Sequence, residues 1–317
     1  GVRMTAAAQG ATLTSNTFVG VQGGAHPADG ALNAGYGVWF EDDSVAHQID
    51  NTNLHEGEPI YYLYGADGVS LEDLVLTGPG NPTNLGKLAI VASTNVTVSG
   101  GQFANQRGVE GLSSGIGTAK GLLATPGGRA VGILLRDCEG CAVQGASVHH
   151  IEGGRGGSGH AYNGASSQGP GSGGWAAGIV LEGAATVGCT LSGNVLDDLA
   201  GGEEPPCVAQ TCPYATDFRQ GALGVYVAEE AQQNVIDETN LLSGQPILYR
   251  YGAQDETLEG YTIDRKDLGT NWGQVAILES SGVTLRDLDI SGVVGIQGTL
   301  DGWTTAGIQL KGCDDCA

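Results

Sequence analysis

The run HQIDNTNLHEGEPIYYLYGADGVSLEDLVL, beginning at His47, recurs as NVIDETNLLSGQPILYRYGAQDETLEGYTI, beginning at Asn234. A constant offset of 187 residues carries Pro59 onto Pro246, Gly65 onto Gly252 and Leu71 onto Leu258. It persists from NVTVSGG at Asn95 to GVTLRDL at Gly282, and becomes 175 at the cysteine pairs. Upstream, ATLTSNTF at Ala11 matches CTLSGNVL at Cys189 with an offset of 178. The chain therefore carries one long unit almost twice, over residues 11–141 and 189–316. A duplication on this scale restricts the chain to repeat architectures.

Each unit contains shorter phrases. TLTSNTF, QIDNTNL, VSLEDLVL, VTVSGGQF and AVQGASV alternate aliphatic or β-branched residues with polar ones, then turn at Asn, Asp or Gly. Strands of a second kind lie between them: YGVWFED, GKLAIVAS, AVGILLRD, AAGIVLEG, LGVYVAE, GQVAILES and TAGIQLKG. Period-two alternation marks strands with one buried face. Short coils of this kind bury that face only by stacking. The expected fold is all-β: one continuous right-handed parallel β-helix, a β-solenoid, over residues 1–317. About nine rungs, at roughly 4.8 Å each, make a rod on the order of 45 Å long. The glycines, 56 of 317 residues, argue against helices. Residues 101–128 and 153–174 read as glycine- and serine-rich loop insertions at rung corners, whose composition predicts mobility.

The phrases NTNLHEGEPIYYLYGADGVSL and ETNLLSGQPILYRYGAQDETL resemble the parallel β-helix repeat superfamily, in particular its carbohydrate-binding and sugar-hydrolase type repeats. Their Asn, Pro-Ile-Tyr-Tyr and Gly pattern is similar to copper-maturation proteins of the NosD type and to many surface proteins. The resemblance covers nearly the whole chain and implies the solenoid fold. It spans lyases, hydrolases, epimerases, tailspikes and adhesins, so it implies no single activity. A copper role calls for soft ligands, and Met4 is the sole methionine.

Charge narrows the partners. Thirteen Lys and Arg against 35 Asp and Glu give a formal charge of -22, which leaves no basic surface for nucleic acid. No apolar run is long enough for a membrane-spanning helix. The opening GVRMTAAAQG reads as a mature chain or an excised fragment without a signal peptide. Cysteines stand at 138, 141, 189, 207, 212, 313 and 316. The pairs Cys138/Cys141 and Cys313/Cys316 occupy equivalent points of separate units, which favours disulfides over a shared zinc. Cys207 and Cys212 bracket a loop that a disulfide would close. Cys141 and Cys189, at the same place in adjacent rungs, compete with the Cys138–Cys141 pairing.

Candidate ligand contacts are His149, His150, Arg155, His160 and Tyr162, beside and within the glycine-rich run after AVQGASV. Tyr61, Tyr62 and Tyr64 recur as Tyr249 and Tyr251, with Trp39 and Tyr226 at matching positions, a pattern suited to sugar rings or to core stacking. Asp50, Asp67, Asp237, Asp255 and Asp287 offer turn carboxylates to Ca²⁺, although no repeated glycine-aspartate nonapeptide is present. Adjacent pairs such as Asp42/Asp43, Asp197/Asp198 and Asp314/Asp315 point to opposite strand faces. No catalytic set or cofactor is assigned.

Duplication without a recognisable carboxylate set favours a scaffold. The expectation is an extracellular or cell-surface structural and adhesive repeat protein. Its partners are neighbouring repeats or copies of itself, stacked through ends that do not read as capped, and polysaccharide. The alternative is a polysaccharide-active enzyme or a carbohydrate-binding module.

Overall fold

The computed structural model describes residues 1–5, 8–25, 32–41, 44–111, 125–157, 172–203, 221–292 and 307–317. Among these residues there is no α-helix, and a 3-10 turn at Glu229–Ala231 is the only helical element. The chain forms a parallel β-solenoid. Among the described residues, nine rungs of three strands open at Val2, Tyr36, Tyr61, Leu88, Ala130, Ala176, Ala222, Leu248 and Val275, and Ile308–Lys311 begins a tenth. Pairing from rung to rung is parallel and in register, as in Tyr61 with Leu88, Leu88 with Ile133 and Ile133 with Ile179.

The ladders are interrupted twice, at matching places in the two copies of the repeat. Rungs 1 and 2 form a first stack, rungs 3 to 7 a second, and rung 8 onward a third. Before each break the chain doubles back in a tight hairpin, Leu54–His55 against Glu58–Pro59, and Leu241–Leu242 against Gln245–Pro246. After each break a short strand of the new stack reaches back to the old one. Asn81–Thr83 pairs with Tyr36–Phe40, and Leu268–Thr270 pairs with Ala222–Val227.

These joints repeat several hydrogen bonds. Asn84 accepts from Phe40 N at 2.8 Å and donates to Phe40 O at 2.9 Å, while Asn271 does the same with Val227 at 2.7 and 2.9 Å. The Tyr62 hydroxyl donates to Val45 O, and the Tyr249 hydroxyl to Gln232 O. Asn53 and Asn240, both wholly buried, give their amides to the carbonyls of Asp50 and Leu13, and of Asp237 and Leu191. The 187-residue repeat is thus, physically, the repeat of a joint.

Single-face burial, expected from period-two alternation, does not hold for the first strand of several rungs. Leu88–Val91, Ala130–Leu135, Ala176–Leu181 and Val275–Leu278 are buried on both faces. Leu88, Ile90, Ile133 and Ile179 pack into the lumen of the second stack, while Ala89, Val91, Leu134 and Val180 join the cluster built on Val38, Phe40 and Ile49 of the first. The third stack repeats this: Val275 and Ile277 face its own lumen, and Ala276 and Leu278 join the core of the second. Near-continuous apolar runs are the signature of strands covered on both sides.

The excursion placed at 101–128 begins later, because Gln102–Arg107 is a strand. The ends of the glycine-rich excursions are also ordered. Segments 108–111, 125–129, 153–157, 172–175 and 201–203 pack through their backbones. Gly128 N donates to Val109 O at 2.7 Å, Gly154 N to Gly128 O at 2.8 Å, Gly174 N to Gly154 O at 2.7 Å and Gly202 N to Gly174 O at 2.7 Å. A Cβ on Gly154 would stand 1.7 Å from Val109 O, and one on Gly174 1.9 Å from Gly128 O. At the bases of these segments Gly153, Gly154, Gly173 and Gly174 are buried.

Each joint also buries a cation. Lys87, 1% exposed, donates from Nζ to Gly78 O and Gly80 O at 2.8 Å and lies 3.8 Å from Glu58. In the second joint Gln274 takes the place of Lys87 and the cation is Arg265. It donates from Nε to Gln274 Oε1 at 2.9 Å and from Nη1 to Gln245 O at 2.9 Å. Burial lowers the Lys87 ammonium to about 8, against the partial support of Glu58. The unfolded chain, with lysine at its ordinary 10.5, then binds more protons than the folded chain between these two values. Lys87 therefore contributes stability that grows as pH rises through about 8. Buried thiols act oppositely above about pH 9, so the readout is the wild type compared with Lys87→Met. The urea midpoint of the wild type should gain on the variant by the equivalent of about 1 kcal/mol between pH 7.5 and 9. A constant difference would contradict this.

Candidate functional site

The outer side of the third strands carries the site nearest to the sequence expectation. Gln102–Arg107, Ser147–Glu152 and Val195–Ala200 run parallel, with Ala104 opposite His149 and His149 opposite Asp197. The next position in each strand is Asn105, His150 and Asp198, with φ of 61°, 53° and 47°. Three stacked residues thus share the left-handed region. Asn, Asp and His enter this region more readily than most residues, at some cost in strain. The bend opens a groove of about 380 Å³ lined by Asn105, Arg107, His150, Glu152 and Asp198 among others.

Within the groove His150 Nε2 lies 2.9 Å from Asp198 Oδ2, and His150 Nδ1 lies 2.7 Å from His149 Nδ1. One of the two Nδ1 atoms carries the shared proton. Arg107 is 3.6 Å from Glu152 and 3.5 Å from Glu110. The His150 and Asp198 side chains are each 60% exposed, so their pairing contributes little to stability. An aspartate-oriented histidine in contact with a second histidine can accept and donate protons at a surface.

The structure thus brings His149 and His150 together and adds Asp198. Asparagine, histidine and aspartate at one register were readable in the sequence only after aligning three rungs. Arg155 does not line this groove. It belongs to the glycine-packed segments, where its carbonyl accepts from Gly111 N at 2.7 Å. His160, Tyr162, Cys207, Cys212, Asp42 and Asp43 lie outside the described residues.

The other candidates divide. Tyr62 and Tyr249 are core residues, 4% and 1% exposed, whereas Tyr61, Tyr64 and Tyr251 are half-buried. Trp39 stands edge-on to Tyr36, and Tyr226 stacks on Trp175 with centroids 5.1 Å apart. Asp50 and Asp237 accept from the backbone and hydroxyl of Thr52 and Thr239, and Asp67 from Thr94 at 2.6 Å. Their oxygens thus organise turns. Among the described residues, no three His, Cys, Asp or Glu side chains are grouped to hold a metal ion.

The five described cysteines are free thiols, so neither of the two CxxC pairs nor Cys141 with Cys189 is bridged. Each CxxC turn aims both thiols inward, toward separate carbonyls: Cys138 to Ile90 O at 3.3 Å and Cys141 to Ser93 O at 3.7 Å. Cys138 and Cys189 both contact Cys141, and that contact, together with burial, holds their thiols well above the usual range. Burial and Cys316 push Cys313 up to about 11. Among the described cysteines, a maleimide applied to the folded chain should label Cys316 first and Cys313 slowly, and leave the wholly buried Cys138, Cys141 and Cys189 unreacted until unfolding. Peptide mapping that found Cys141 modified as fast as Cys316 would contradict the packing.

No protein-family model, no curated protein and no solved structure matches the chain.

Proposed function

We propose that the chain is an extracellular structural and adhesive repeat protein, a stiff solenoid that presents its outer faces to polysaccharide. The observation that carries this reading is the joint. A structure that repeats a 187-residue unit together with its breaks, buried asparagines and buried cation repeats its rigidity. Strands covered on both faces at each joint resist bending more than a single-lumen coil would. The charge of -22 suits a soluble exterior surface.

A polysaccharide-active enzyme is the second reading. It is favoured by the stacked left-handed residues around His150 and Asp198, because backbone strain collects at reactive sites.

Protease shaving of intact source cells tests the first reading. Peptides from exposed turns such as 65–69 and 252–256 are expected in the released fraction. Recovery of the chain only after lysis would contradict an exterior location.

A further inference from the structure

The two joints share the hydrogen bonds of Asn84 and Asn271 and of Tyr62 and Tyr249, yet their outer faces differ where Trp272 stands. In the second joint Trp272 donates Nε1–H to Val227 O at 3.0 Å, and the Lys311 ammonium lies 4.7 Å over the indole ring while paired with Glu229 at 2.7 Å. By the sequence repeat, Leu85 stands where Trp272 does, and Arg136 where Lys311 does. With leucine in place of tryptophan, the first joint keeps a cavity of about 400 Å³ whose walls include Tyr36, Trp39, Glu41, Leu85, Arg129 and Arg136. The fold does not demand this space, since a bulky side chain takes the equivalent position in the other copy.

The lining is chemically selective. Arg129 donates from Nη1 and Nη2 to the two oxygens of Glu182 at 2.7 and 3.0 Å, and Arg136 donates from Nε to Glu182 Oε1 at 2.7 Å. Glu182, only 13% exposed in its side chain, stands behind the wall, while both guanidiniums form part of it. The two arginines depress the Glu182 carboxyl against its burial, so it stays ionised. One carboxylate between two guanidiniums leaves a positive charge and unused N–H donors toward the cavity. Glu41, the acid on the opposite wall, is paired with Arg3. Together these described groups, three cations and two carboxylates, carry a net charge of +1 in a chain of charge -22. Trp39, half-buried and 5.1 Å from Tyr36, supplies an apolar ring wall.

We propose that this cavity binds a carboxylate carried on a six-membered ring, as in a hexuronate unit of an acidic glycan. The carboxylate would meet Arg129 and Arg136, and the ring would lie against Trp39. Cavities of this size suit a ligand of one or two rings. The proposal deepens the adhesive reading and rests on it only for the polymer as the source of the ring.

Isothermal titration of the full chain with trigalacturonate, its methyl ester and cyclohexanecarboxylate tests it. Trigalacturonate should bind at least about tenfold more tightly than the uncharged ester. Arg129→Gln, which leaves Glu182 its second arginine, and Leu85→Trp, which imitates the filled joint, should each weaken binding at least about tenfold. Lys311→Gln should leave it unchanged. If Leu85→Trp fails to fold, Arg129→Gln carries the test alone. Binding of cyclohexanecarboxylate as tight as that of trigalacturonate would keep the ring-carboxylate site and remove the polymer as its source. Absence of binding by both acids, equal binding of acid and ester, or wild-type affinity in Arg129→Gln would overturn the site. The exterior location is read separately by protease shaving, so the two proposals fail independently.

Discussion

Gly154→Ala is expected to destabilise the chain by about 3 kcal/mol or more. The added methyl carbon would fall 1.7 Å from Val109 O and 2.5 Å from the carbonyl carbon behind it. Neither atom belongs to a side chain that can turn away. Relief requires moving segment 153–157 off 108–111, which breaks the hydrogen bonds of Gly154 to Gly128 and of Gly174 to Gly154. Gly244→Ala is the contrast. Gly244 has φ of 76° and no neighbour within 4 Å, so its cost is the backbone penalty of about 1–2 kcal/mol. Urea unfolding followed by circular dichroism should place Gly154→Ala well below Gly244→Ala. Equal midpoints would mean that the glycine-packed segments are not held as described.

Lys87→Met is expected to cost about 3 kcal/mol, because it leaves a part-buried carboxylate and two carbonyls without their cation. Glu58 would keep the backbone N–H groups of Thr77 and Gly78, while Gly78 O and Gly80 O would lose their donor. Adding Glu58→Gln should recover part of the loss. The second joint carries Gln245 there, with its amide oxygen accepting from Asp264 N at 2.9 Å and its amide nitrogen donating to Asp264 O at 3.1 Å. A double-mutant cycle in urea measures this coupling. Strict additivity of the two changes would place Lys87 and Glu58 in separate environments and contradict their pairing.

The internal repeat made the solenoid legible, because equivalent prolines, glycines and leucines 187 residues apart admit few other folds. The breaks were less visible. HEGEPI and LSGQPI look like ordinary strand phrases, and only pairing shows that the chain doubles back there. Two-face burial was hidden because Gly132 and Gly178 sit inside AVGILL and AAGIVL, where the residues on either side point alternately into two cores. The glycine pairs 127–128, 153–154, 173–174 and 201–202 did hold a signal. They recur at the same two points of successive rungs, just before the first strand and just after the third, a regularity that a flexible linker does not need.

At the site, the sequence singled out the histidine pair but named Asp198 only as half of an adjacent acidic pair, because it reaches His150 only through the register of adjacent rungs. Arg129, Arg136 and Glu182 were invisible for the same reason, since residues 53 positions apart meet only when the rungs stack. Composition concealed them further: in a chain of charge -22, a pair of arginines facing one cavity does not register in any average.

The scaffold reading is tested most directly by incubating the purified chain with acidic and neutral polysaccharides and measuring both retention and polymer length. An adhesive solenoid predicts that the chain is retained on at least one acidic polymer whose length distribution does not change with time. Shortening of any polymer, lost in Asp198→Asn or His150→Ala, would contradict the account and make the groove around His150 and Asp198 an active site.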